Sequence, residues 1–571
     1  MDARTRFETR TVGGLPVVQA FLEELEFAKI IDQLVPWEGD VPLGTLVEIL
    51  MCNRLLAPKP LFRVAEWAEE ACVPDYYGVT AEQLNDDRLG GALERLNKHG
   101  QTVQAALVAN AVKRFKLDVS RIHYDISNIE LFGAYTRQLE KEAVEDEATA
   151  GEEGSARESA EEATPASGPK PMYGRTKSGR KNVKQIQFGI NVTRDGAVPV
   201  GHLPLDGNAA EAKTHLENLK LLDDLLPHSR RLYTADTKLD TPENLLAIAA
   251  NKGQFLCAGV FQPHLKKEYR KLARKNQLKM VDYCPKSKAH LPADQRPQYK
   301  VAEVPATLEG TVDGRPVRIR YRLIYVWSEA KAEQEAKTRQ RHIAKIQEVF
   351  EKTERNLNKY SLTTQEAIVK RLEGARNRSD EGDVFQYQLT KQRGGKFLLS
   401  WKIDQAALRA RKEVEGGYLL KTNLSKKDTP ASEVLREYKE QIHVERRIRD
   451  LKGPLAVAPM YLEKPERMAG LLQILMWSLM VLTLMERAVR RSLKGKAMYG
   501  LYPENRPCSA PTAKTILARF STLCIVIVKE RGERLRRLAD LTSVQRALLN
   551  HMGIPPNRLS AFKRKCCDVA A

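Results

Sequence analysis

Residues 119–262 switch between two hydrophobic periods in an order that few folds accept. In RIHYDISNIE, Ile122, Tyr124 and Ile126 alternate with His123 and Asp125, the period-two pattern of a half-buried strand with Asp125 opposite the apolar set. In QIQFGINVTRDGAVPV, Ile186, Phe188, Ile190 and Val192 alternate, Asp195-Gly196 supplies a hairpin turn, and Val198 and Val200 resume a strand. GNAAEAKTHLENLKLLDDLL then reads as an amphipathic helix, and the short run Leu232 to Ala235 leads into Asp236. Thr241-Pro242-Glu243 opens a further helix that closes at Gly253, and QFLCAGVF makes a further strand. The chain is therefore expected to be α/β. Both Asp125 and Asp236 are expected where a strand ends, the sheet edge at which sites collect.

A third acid stands far downstream. Wound as one helix, capped by Asp428 or Thr429 and stopped by Gly453-Pro454, the chain puts Val434, Leu435, Tyr438, Gln441, Ile442, Glu445, Ile448 and Lys452 on one side. Arg436, Lys439, Glu440, His443, Arg447 and Asp450 share the other. Glu445 is thus expected to face inward, where a carboxylate is costly unless a cation meets it. Singly, each acid has an ordinary reading: an Asp after a strand is more often a turn or cap residue, and Glu445 serves equally well in a structural ion pair. Their joint order is what points to a site.

Tyr438, Gln441, Glu445 and Lys452 resemble the Y-x2-R-x3-E-x6-K signature of a large group of bacterial insertion-sequence transposases, DDE enzymes with an RNase H-like core. Gln441 stands where that signature has Arg. The phrases YDIS, GNAAEAKTH and ADTKLDTPENL resemble the same group piece by piece, and the likeness runs over residues 1–495. The resemblance implies an RNase H-like mixed five-stranded sheet with helices, an N-terminal helical domain, and a strand-rich insertion domain before the catalytic Glu. It implies Asp125, Asp236 and Glu445 as catalytic and metal-holding residues, with Asp125 bridging two Mg²⁺ ions for which Mn²⁺ can substitute. Hard cations of this kind take carboxylate oxygens, and in-line phosphodiester chemistry uses two ions about 3.5–4 Å apart. Tyr438, Gln441 and Lys452 would position the DNA end. The implied function is cut-and-paste transposition: binding terminal inverted repeats as a homodimer, cleaving, and joining the ends to target DNA, in the bacterial cytoplasm at the nucleoid. A catalytically silent DNA-binding relative, or an RNase H-like nuclease that cuts without joining, are the alternatives. Magnesium-dependent nicking and the joining of products to target separate them.

Charge agrees with a polyanionic partner. Lys and Arg number 93 against 73 Asp and Glu, a net +20. The imbalance is greater outside residues 139–169, where ten acids face only Lys141 and Arg157. That stretch, rich in Glu, Ala, Ser, Gly and Pro, is expected to be a disordered acidic insertion. Lys177, Arg180 and Lys181 follow it in an acid-free loop suited to phosphate contacts.

The expected domains are a helical DNA-end-binding and dimerisation domain (1–118), the first part of the core (119–138 and 170–262), the insertion domain (263–415), the second part of the core (416–495) and a helical C-terminal region (496–571). Trp327 and Trp401 in the insertion domain are candidates for stacking on a flipped base, with core packing the more ordinary role. Met468 to Met485 is apolar enough to suggest a membrane span, but Gln473, Ser478 and Thr483 interrupt it, and a buried helix is expected, with no membrane partner. The opening MDARTRFETR has no signal-peptide core, eight scattered cysteines show no zinc spacing and suit a reducing cytoplasm, and no Walker A loop indicates ATP.

Overall fold

The computed structural model describes residues 6–131, 168–174, 183–227, 230–285, 288–455, 462–530 and 533–560. Lys177, Arg180, Lys181 and all but the last two residues of the acidic stretch 139–169 lie outside them. The chain divides into two compact units, residues 1–238 with 440–571, and residues 239–439.

The first unit is built on a mixed sheet. Pro199–Leu205 pairs antiparallel with Lys184–Thr193, which pairs antiparallel with Arg121–Glu130, which pairs parallel with Leu232–Ala235. The Asp195-Gly196 turn is present, with Gly196 at φ 84° and Ala197 at φ 52°. The expected half-buried alternation is not what forms. In the Asp125 strand His123 and Ser127 are as buried as Ile122 and Tyr124, because helices cover both faces. On the Tyr124 side lies Glu211–Leu225, whose Asn218 exchanges hydrogen bonds with Asn191 and whose His215 meets Tyr233. Across the sheet lies Ile442–Lys452, reached by His123.

Pro465–Leu493 is the apolar helix. Its mean hydropathy reaches 1.9 over a stretch that is wholly buried, with Trp477 edge-on to Phe27 at 5.3 Å and Gly470 closed against the backbone of Leu93. The N-terminal helices Leu15–Glu24, Phe27–Leu34, Leu43–Leu56, Asp86–Lys98 and Gly100–Phe115 surround it. The two terminal regions are not purely helical as expected. Arg6–Thr11 pairs antiparallel with Cys524–Glu530, which pairs with Glu533–Leu538, so a three-stranded sheet ties the two ends of the sequence together.

The second unit is wider than the expected 263–415. Gly417–Thr422 pairs with Gln254–Gly259 on one side and Arg315–Ser328 on the other, which draws residues 239–262 and 416–439 into the same body. Tyr299–Val312 extends this antiparallel sheet. A separate core gathers Ile346, Phe350, Ile368, Leu372 and Phe385 under the hairpin Phe385–Lys391 and Phe397–Ile403. Trp327 lies under the Lys300 ammonium at 4.9 Å, and Trp401 packs on Phe350 and Phe385 while donating to Glu354, so both take packing roles.

Candidate active site

Asp125 sits in the middle of its strand, not at its end, because pairing with Lys184–Thr193 continues to Glu130↔Gln185. Asp236 does follow the last residue of its strand. The parallel register between the two strands ends at His123↔Thr234, and each aspartate lies two residues beyond that pair. The two carboxylates therefore belong to neighbouring strands about 4.8 Å apart. By alternation they fall on the face of His123 and Thr234, opposite Tyr124 and Tyr233.

A cavity of about 120 Å³ opens beyond this pair, lined by Tyr124, Asp125, Ile126, Glu211, His215, Asp236 and Lys238. Asp125 accepts from the Ile126 amide and Asp236 from the Lys238 amide, each at 2.9 Å, which fixes one oxygen of each carboxylate. At the rim the Lys238 ammonium stands 3.5 Å from Glu211. His215 is held by the Tyr233 hydroxyl at 3.0 Å, and burial pulls its pKa down to about 4, so the ring is neutral at pH 7. Half-buried carboxylates are the donors that hard divalent cations take, and this volume far exceeds the roughly 15 Å³ that one water requires. The donor chemistry and the room both fit hydrated Mg²⁺. Among the described residues no three His, Cys, Asp or Glu side chains are gathered as a metal group, so the aspartate pair is what the structure brings together.

Glu445 is not in the lining of that cavity. The single helix expected from Pro430 to Lys452 is broken into Ala431–Lys439 and Ile442–Lys452. In the second piece Val444, Arg447, Ile448 and Leu451 are buried, while Ile442 is 51% exposed and Glu445 is exposed. The break therefore shifts the phase of the expected inward stripe. Arg447 sets the observed phase: it pairs with buried Glu486 at 2.8 Å and donates to the Ala197 and Gly196 carbonyls at 3.2 and 3.0 Å. Glu445, two residues earlier, is rotated about 200° away from it. Glu486 also accepts from the Ala513 amide, so it is fully engaged.

Gln441, expected at the DNA end, is a buried tether between its helix and the Asp125 strand. It is 8% exposed, donates to the Tyr124 carbonyl at 2.8 Å and shares a 3.1 Å hydrogen bond with His123 Nδ1. Lys452 is the last residue of the Glu445 helix and is exposed. Tyr438 is half-buried and belongs to the second unit. Glu211, His215 and Lys238 do not stand out in the sequence, although Glu211 and His215 sit four apart on one expected helix, a spacing that puts both on one face.

A family model described as a domain of unknown function, DUF4277, matches residues 7–109. No curated protein matches the chain.

Proposed function

We infer that this chain is an insertion-sequence transposase with an RNase H-like core, which binds transposon ends and carries out metal-dependent DNA cleavage and strand transfer. The observation that carries the reading is that Asp125 and Asp236 line one cavity, while Gln441, at the start of the Glu445 helix, is tied to the strand that carries Asp125. His123, two residues before Asp125 and on the same face, meets Gln441, and Glu445 follows Gln441 by four residues, about one helical turn. The strand order in the first unit, with the hairpin on one side of the Asp125 strand and a parallel partner on the other, supports the same core.

Asp125, Asp236 and Glu445 would hold two Mg²⁺, or Mn²⁺ in their place. When bound, such ions activate an attacking oxygen and stabilise a leaving one in phosphodiester exchange. The protein's own part is positioning. The strands fix the two aspartates, the Ile126 and Lys238 amides orient their carboxylates, and Gln441 and Arg447 hold the helix that presents Glu445. Lys452, two turns beyond Glu445, supplies a cation for the DNA backbone. Target and terminal repeats are double-stranded DNA, and the protein would act as a homodimer.

The test is incubation of the purified protein with Mg²⁺ and a duplex carrying the inverted repeats that flank its coding region, together with a supercoiled target. Cleavage at the repeat ends and joined products are expected, and Asp125→Asn and Asp236→Asn should remove both while leaving end binding in place. Cleavage that persists in either variant rules the site out, and cleavage without joining would favour a nuclease.

A further inference from the structure

The hairpin Phe385–Ile403 has two faces of different chemistry. Phe385, Tyr387, Leu389, Phe397, Leu399 and Trp401 pack inward on the second core of the 239–439 unit. The opposite row, Gln388, Thr390, Leu398, Ser400 and Lys402, is exposed, with Gln388 opposite Ser400 and Thr390 opposite Leu398 in register. Leu398 is 53% exposed although it is apolar. Residues 385–403 contain Lys391, Arg393, Lys396 and Lys402 and no acid. None of these four cations takes part in an ion pair among the described residues, and all are exposed. The tip is a closed turn: Gln392 donates to the Lys396 carbonyl at 2.8 Å, with Gly394 and Gly395 at φ 103° and 82°.

We propose that this outward face lies in the major groove of duplex DNA, with Gln388, Thr390, Leu398 and Ser400 on base edges and Lys391, Arg393, Lys396 and Lys402 on the flanking phosphates. The choice of DNA as the polyanion rests on the function proposed above. A two-stranded ribbon, its strands about 4.8 Å apart, fits a groove about 12 Å wide. The chemistry of the row matches what that groove displays: Gln pairs with adenine, Ser and Thr with either kind of edge, and an apolar side chain meets the thymine methyl. Unpaired cations around the uncharged Gln388, Thr390, Leu398 and Ser400 give phosphate contacts that position and polar contacts that specify. An acidic protein surface would satisfy the cations and leave Gln388, Thr390 and Ser400 without a purpose.

The test uses the full chain and the terminal-repeat duplex, with binding measured by fluorescence anisotropy across salt concentrations. Lys391→Ala/Arg393→Ala/Lys396→Ala should lower the slope of log K against log salt by about 2–3 and weaken repeat and scrambled duplexes alike. Gln388→Ala/Ser400→Ala should keep the slope and cut the preference for repeat over scrambled DNA by about tenfold. All five residues are exposed, so unchanged melting temperatures are expected and show that the fold is kept. Wild-type slope and preference in both variants overturn the proposal while leaving the transposase reading intact if the wild type still cleaves. Tighter binding of an acidic protein or an RNA duplex than of DNA also overturns it. A wild-type chain with no affinity for duplex DNA overturns both readings together.

Discussion

Gln441 donates its amide to the carbonyl of Tyr124 at 2.8 Å, one residue before Asp125, and so ties the Glu445 helix to the strand that carries the first candidate ligand. The other end of the amide meets His123, and all three groups are buried. Gln441→Leu strands a carbonyl and an imidazole nitrogen in the interior, and each such loss costs on the order of 1–3 kcal/mol. Urea unfolding should therefore show a lower midpoint, corresponding to an unfolding free energy reduced by about that amount. A variant as stable as the wild type would show that the tether is not formed.

Much of the sheet was legible because its signals are local. The hairpin at Asp195-Gly196, the helix after Gly207 and the strand before Asp236 depend on turn residues and short periodicities, and each stands where those signals place it. What was not legible depends on distant partners. Arg447 looked solvent-facing until Glu486, on a different helix, gave it a buried counter-ion, and that pairing rotates Glu445 outward. The strand Arg6–Thr11 falls in a region expected to be helical, and its partner Cys524–Glu530 lies more than 500 residues further along the sequence. Gln441 matched a position known for a cation, and only the packing of His123 and Tyr124 shows why an amide stands there.

The Arg447–Glu486 pair gives a second prediction. Both side chains are almost fully buried, and Arg447→Met leaves a carboxylate with only Arg490 and the Ala513 amide beside it. Removing one partner of a buried pair costs about 3–5 kcal/mol. Arg447→Met/Glu486→Gln should recover part of this loss, since no buried carboxylate is left short of its main partner. A double variant destabilised by the sum of what Arg447→Met and Glu486→Gln each cost alone, read from chemical denaturation, would mean that the pair is not coupled.

Acid sensitivity follows from two buried imidazoles. Burial lowers the pKa of His202 and of His215 from 6.5 to about 4, so the unfolded chain takes up protons at each position before the folded one does. Stability is unaffected above about pH 6.5 and is lost as pH falls from there to about 4, by up to roughly 3 kcal/mol for each group. His202→Gln should flatten the fall measured between pH 7 and pH 5. An unchanged slope would show that His202 is already charged in the fold.

The third carboxylate can be decided between two candidates on opposite faces of the sheet. Glu211 lines the cavity with Asp125 and Asp236, but it is paired with Lys238 and its helix covers the Tyr124 face. Glu445 is exposed, and its helix covers the face onto which alternation directs both aspartates. An exposed side chain without a buried partner contributes within about 0.5 kcal/mol to stability, so Glu445→Gln should melt like the wild type. End cleavage should nevertheless fall by on the order of 10²–10³-fold or more, as when a group that stabilises transition-state charge is removed. Glu211→Gln should cost less than about tenfold, because what it removes is a surface ion pair. The reverse ranking in single-turnover cleavage would assign the third ligand to Glu211 and leave the Glu445 helix a purely structural role.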